Sequence, residues 1–171
     1  MDSRGLQITA ASGLVIGALL GMAGAFAPSP ELRALAWGID GTAIIVGCAL
    51  LVARHLREGH DQLAAGFLVF LAGETLIVSV VAVDLDASVP TLGSGAALWS
   101  AGLLLVSASS VLPGFVRALG AIAGILLGIT AVRIFCGIRL NPLSEPLPFY
   151  AFPFLAFTLI GWAWAHMRSA R

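Results

Sequence analysis

The chain contains no lysine, and charged residues of any kind make up only 11% of its 171 residues. Nine arginines are balanced by nine acids, and the chain has two cysteines and three histidines. A soluble domain carries about a quarter charged residues, so this scarcity excludes an ordinary water-soluble protein. The zero formal net charge and the lack of a basic stripe argue against nucleic-acid binding.

Motifs of catalysis are also missing. The sequence contains no nucleophile motif, phosphate-cradling loop or nucleotide fingerprint, because its many glycines lie inside apolar runs rather than between a strand and a helix. These absences argue against an enzyme, and the sequence predicts neither a cofactor nor a metal ion.

Apolar residues make up 59% of the chain and are arranged in six runs. A run of about 20 residues crosses the hydrocarbon core as a helix. The runs do not alternate in polarity, which a membrane β-barrel would require. We therefore predict an all-α integral membrane protein, a six-transmembrane-helix bundle of three αα hairpins in a single domain, 1–171. The predicted helices cover residues 7–27, 32–53, 63–83, 92–112, 115–135 and 147–166.

The arginines predict the orientation, because basic residues are retained on the cytoplasmic side. One end of the predicted bundle collects six of them: Arg4, Arg54, Arg57, Arg117, Arg168 and Arg171. The other end has only Arg33, Arg139 and the interfacial Arg133. Both termini are therefore expected in the cytoplasm, and the membrane is expected to be a bacterial inner membrane. Trp162, Trp164 and Phe115 are expected in an aromatic belt at the inner interface.

Glycines recur at four-residue spacing on two predicted helices, which places them along one ridge of each helix. They are Gly13, Gly17 and Gly21 on the first helix, and Gly120, Gly124 and Gly128 on the fifth. Such ridges, of the glycine-zipper kind, let helices approach closely. The helix that covers each ridge is expected from this chain, from a second copy in a homo-oligomer or from another membrane protein, within the lipid bilayer.

Three charged residues fall inside the predicted spans. Asp40 lies in the second helix, Glu74 near the middle of the third and Arg133 near the outer end of the fifth. An unpaired charge at the centre of a membrane helix costs about 2.5 to 3.5 kcal/mol, so such residues normally face protein or water. These three form the candidate polar site. They either line a path for a proton or small solute, or serve packing alone. A metal site is less favoured, because the membrane interior offers no histidine.

The most polar stretch is RHLREGHD, residues 54–61, which holds His55 and His60. His166 ends the sixth predicted helix at the same end of the bundle. A metal or bis-histidine haem site would need these residues in a bundle core, whereas the pattern places them at the water interface. We therefore interpret the three histidines as solvated residues.

Two functions are consistent with this pattern. The first is a small channel or transporter for a proton, ion or small polar solute that uses Asp40 and Glu74. The second is a noncatalytic scaffold, sensor or accessory subunit whose buried charges are structural. A cavity that reaches both acids would favour the first, and a fully packed interior would favour the second.

Overall fold

The computed structural model describes residues 3–81 and 88–168. These residues form helices and connections without any strand, which confirms the predicted all-α fold class. The helices are α1 (Ser3–Ala25), α2 (Pro30–Arg57), α3 (Asp61–Val81), α4 (Val89–Ala108), α5 (Gly114–Phe135) and α6 (Phe152–Arg168), with a 3₁₀ turn at Phe149–Ala151. Arg171 and residues 82–83, the end of the third predicted helix, lie outside the described residues.

Five helices in the described part of the chain, α1 to α5, are long and apolar enough to cross a membrane. The sixth, α6, has only 17 residues. A helix of that length reaches about 25 Å, which is at the short end of what spans a bilayer.

The start of α6 differs from the prediction, because residues 147–151 form a turn and a 3₁₀ segment before the α-helix begins at Phe152. Proline has no backbone N–H and disfavours helical geometry in the residue before it. Pro146 and Pro148 therefore delay the helix. By contrast, Ser29 begins α2 as a cap, since its Oγ accepts a hydrogen bond from Leu32 N at 3.3 Å.

The six helices form a closed ring. Each packs against the next in sequence, and α6 also packs against α1. The connections alternate between two ends of the bundle. We call the end with the α2–α3 turn (residues 58–60) the His-loop end, and the end with the α5–α6 connection (residues 136–148) the Pro-loop end.

Large apolar side chains fill the interior of the ring toward the His-loop end. Trp162 is 1% exposed, and the prediction that it belongs to an interfacial belt is wrong. The two other aromatics of that predicted belt, Trp164 and Phe115, are exposed at 39% and 54%. The fully buried Phe67 and Phe70 of α3 contact Trp162 edge to face, with ring centroids 4.8 and 5.4 Å away.

Candidate functional site

Asp40 of α2 and Glu74 of α3 line one interior cavity near the Pro-loop end. Its volume is about 70 Å³, well above the about 10 to 15 Å³ that a cavity needs to hold one water molecule. The rest of the lining is mostly apolar, with Trp99 of α4 as the other side chain that carries a polar group beside Glu74. The two acids singled out by the sequence therefore face a shared space inside the protein.

The glycine ridge of α1 makes room for Asp40. A Cβ added to Gly21 would lie 2.8 Å from Asp40 Oδ2, and one added to Gly17 would lie 3.1 Å from Oδ1. The Trp37 indole Nε1 donates a hydrogen bond to the Gly21 carbonyl at 3.0 Å and fastens α2 to the same stretch of α1. This ridge thus packs within the chain, against α2, and lets a carboxylate lie close to the α1 backbone.

Glu74 is only 2% exposed. A Cβ on Gly41 of α2 would lie 3.0 Å from its Oε1, so a glycine again leaves the space that the carboxylate fills. On the other side, α4 approaches α3 where Gly73 contacts the Trp99 backbone and ring. The two neighbouring helices, α2 and α4, therefore enclose Glu74 on α3.

Three polar atoms of this cavity are buried and have no hydrogen-bond partner among the described residues. They are Asp40 Oδ1, Glu74 Oε2 and Trp99 Nε1. Buried polar groups are nearly always hydrogen-bonded, and leaving one unsatisfied costs about 1 to 3 kcal/mol. The Trp99 indole N–H lies beside the Glu74 carboxyl, so the cavity combines two acceptor oxygens with one donor and can accommodate a polar occupant.

A layer of aromatic rings separates the cavity from the His-loop end. Trp99 stacks on Phe70 with centroids 5.9 Å apart, and Phe70 in turn contacts Trp162. We call Phe67, Phe70 and Trp162 the aromatic plug. On the side of the plug toward the His-loop end, its Phe67 ring stacks almost parallel on the His55 ring, with centroids 5.7 Å apart.

The histidines were misinterpreted from the sequence. His55 and His166 are 2% and 4% exposed, so the prediction that they are solvated is wrong. Their Nε2 atoms lie 2.8 Å apart, and His166 Nδ1 lies 2.6 Å from the Trp162 carbonyl oxygen. Closure of the ring between α6 and α1 brings this last turn of α6 over the end of α2.

The α2–α3 turn places His60 beside His55. Gly59 has a φ of +72°, its N–H donates to the Leu56 carbonyl, and His60 N–H donates to the His55 carbonyl at 2.9 Å. This pair of bonds is the Schellman arrangement, which favours glycine at the left-handed position. The glycine in REGH was a sequence signal for this contact, since the motif joins residues five apart.

Glu58 lies between the two histidine rings and Arg54. Its Oε1 accepts a hydrogen bond from Arg54 Nε at 2.7 Å, and its Oε2 lies 3.4 Å from His55 Nδ1. Partial burial raises the pKa of the Glu58 carboxyl, but the hydrogen bond and charge of Arg54 outweigh burial and hold this pKa below its ordinary value. Glu58 is therefore ionised at neutral pH.

The remaining sequence-selected residues lie apart from the cavity. Arg133 is in the last turn of α5 and is not among the residues that line the cavity in the described part of the chain. The second glycine ridge faces α4, since Cβ atoms on Gly120 and Gly128 would meet the Oγ atoms of Ser107 and Ser100. This ridge, too, packs within the chain.

The fold and its apolar helices define an all-helical integral membrane protein. Comparison of the chain with protein families, characterised proteins and solved structures gives no match.

Proposed function

We propose that this protein is a small transporter that carries a proton or small polar solute through an interior site formed by Asp40 and Glu74. The supporting observation is the shared cavity, to which each of the two carboxylates contributes an oxygen without a hydrogen-bond partner among the described residues. A bundle that used its acids only for packing would be expected to pair them with donors.

The proposed topology has six spans with both termini in the cytoplasm of a bacterial inner membrane. Although α6 is short, it packs between α5 and α1 as a full member of the ring. Arg54, Arg57 and Arg117 lie at the His-loop end, so this end faces the cytoplasm under the positive-inside rule.

The aromatic plug supports a transporter with an occluded state rather than an open pore. Phe67 and Phe70 are fully buried and Trp162 is 1% exposed, so the rings leave no room for solute at that level. Passage toward the His-loop end therefore requires these rings to move. Such gating by movement of packed helices takes microseconds to milliseconds.

A flux assay with Glu74→Gln tests the proposal. The amide keeps the size of the side chain but cannot ionise or exchange a proton. If Glu74 takes part in transport, the variant therefore loses flux while it remains folded. Purified protein is reconstituted in liposomes with an internal pH-sensitive dye, and proton movement is followed after a potassium diffusion potential is imposed. Parallel liposomes are tested for counterflow of small polar solutes.

Glu145→Gln is the matched control, because it makes the same chemical change at an exposed residue of the α5–α6 connection. We expect the wild type and Glu145→Gln to show flux. The flux of Glu74→Gln is expected to be no higher than that of protein-free liposomes. If Glu74→Gln melts like the wild type and its flux is unchanged, Glu74 has a structural role and the transport proposal is wrong.

A further inference from the structure

The α2–α3 turn gathers three side chains that can ligate a metal ion, at the opposite end of the bundle from the carboxylate cavity. His55, Glu58 and His60 each offer one ligand atom, and these atoms lie within 4.8 Å of one another. His55 is buried, whereas the side chains of Glu58 and His60 are 38% and 39% exposed. The cluster is therefore buried on the side of His55 and open to solvent on the side of Glu58 and His60.

Hydrogen bonding determines which ring nitrogen of His55 carries the proton and which carries a lone pair. The Trp162 carbonyl oxygen only accepts, so His166 Nδ1 donates to it across 2.6 Å. A neutral His166 then accepts at Nε2, and His55 donates from its own Nε2 across 2.8 Å. Burial against Phe67 disfavours a charged ring here. His55 Nδ1 therefore carries a lone pair.

That lone pair points at a carboxylate and has no donor. His55 Nδ1 is buried and lacks a hydrogen-bond partner among the described residues, as does His60 Nδ1. Both nitrogens face Glu58 Oε2, at 3.4 Å and 3.5 Å. His55 Nδ1 and Glu58 Oε2 are both electron-rich, so they repel each other unless a cation lies between them, and the neutral His60 ring can offer a third lone pair at the same place.

The distances favour a metal ion over a shared proton. A charge-assisted hydrogen bond from imidazolium to carboxylate is about 2.7 to 2.9 Å long. Two ligand atoms of one tetrahedral zinc ion, each bound at about 2.0 to 2.1 Å, lie about 3.3 Å apart. The two separations from Glu58 Oε2, 3.4 Å to His55 Nδ1 and 3.5 Å to His60 Nδ1, are close to the second value.

We propose that His55, Glu58 and His60 bind a divalent transition-metal ion of the zinc class. Two imidazoles and one carboxylate suit such ions, whereas Ca²⁺ and Mg²⁺ take mainly oxygen ligands. The exposed side of the cluster leaves further coordination positions to water. This proposal does not rest on the proposed transport function, because His55, Glu58 and His60 do not line the carboxylate cavity.

The groups behind the ligands are also arranged as a metal site requires. Ligating histidines usually donate their second N–H to an acceptor, which fixes the tautomer, and ligating carboxylates are hydrogen-bonded in turn. His166 supplies the acceptor for His55, and Arg54 holds Glu58 Oε1 at 2.7 Å, which leaves Oε2 for the ion. His166 is thus a positioning residue.

Calorimetric titration with Zn²⁺ tests the proposal. The full chain is purified in detergent with an affinity tag that lacks histidine, and bound metal is removed by dialysis against a chelator. The wild type is expected to bind one ion per chain. His60→Ala and Glu58→Gln are expected to weaken binding by about tenfold or more. Asp61→Asn is the control, since it removes a neighbouring exposed acid outside the cluster.

Visible absorption of the wild type titrated with Co²⁺ provides a measurement that does not depend on the folding of variants. Ligand-field bands of a site with nitrogen and oxygen donors support the proposal. The absence of stoichiometric Zn²⁺ binding by the wild type overturns it. Equal weakening by Asp61→Asn and His60→Ala also overturns it, since general surface charge would then account for binding.

Discussion

His55 and His166 approach within 2.8 Å at their Nε2 atoms, although 111 residues separate them in the chain. The contact joins the last turn of α2 to the last turn of α6, at the end of the bundle where the ring closes. Their hydrogen bond therefore links two elements that no short connection joins.

Replacement of His166 by leucine is expected to destabilise the bundle. The change leaves His55 Nε2–H buried without its acceptor, which costs about 1 to 3 kcal/mol. The double variant His55→Leu/His166→Leu removes both polar groups and is expected to recover part of this loss, because two apolar partners leave nothing unsatisfied. Thermal melting in detergent measures both effects. Additive losses in the double variant would show that the two rings do not interact.

Gly13→Ala is expected to lower stability. The new Cβ would lie 2.5 Å from the Ala43 carbonyl oxygen of α2, and overpacking of this kind costs about 1 to 3 kcal/mol. Gly38→Ala is the matched control, because a Cβ there meets nothing within 4 Å. It is expected to stabilise its helix by up to about 1 kcal/mol. Melting temperatures that move in the same direction would contradict the packing described for α1 and α2.

Trp99→Phe is expected to reduce flux, since it removes the indole N–H that lies beside the Glu74 carboxyl in the cavity. The ring that stacks on Phe70 is retained in smaller form. Trp164→Phe serves as the control, because Trp164 is 39% exposed on the outer surface of α6. Liposome flux and melting temperature are measured together. A lower melting temperature with unchanged flux would assign Trp99 to packing alone.

Labelling of single cysteines introduced in a background without Cys48 and Cys136 tests the six-span topology. Positions 58 and 145 are expected on opposite sides of the membrane, and position 168 on the same side as 58. The comparison of positions 145 and 168 tests whether α6 crosses the membrane, because α6, with 17 residues, is the shortest of the six α-helices. Labelling of 168 from the same side as 145 would show that α6 does not cross.

Much of the fold follows from local sequence properties. Apolar runs and short connections identify the helices. An isolated acid in an apolar run, such as Asp40 or Glu74, can be recognised from the sequence alone because burial of charge is costly. The predicted start of the sixth helix at residue 147 is wrong because hydropathy alone ignores Pro146 and Pro148, which flank that residue.

The burial of His55 and His166 could not be predicted from local sequence, because it depends on a contact between residues far apart in the chain. His166 reaches His55 only when α6 closes the ring on α1. Hydropathy assigns both residues to helix ends and hence to water. Gly59 indicated the proximity of His55 and His60, but only structure shows that His166 and Phe67 cover the first of them.

The position of the aromatic plug has a thermodynamic consequence for the whole molecule. Phe67 contacts His55, and Glu74 lies seven residues further along the same helix, about two turns away and on nearly the same face. A rotation of α3 that opens the cavity therefore also shifts the ring against which His55 rests. An ion at one end of the bundle and a solute at the other would then change each other's affinity by the same factor, since linkage is reciprocal.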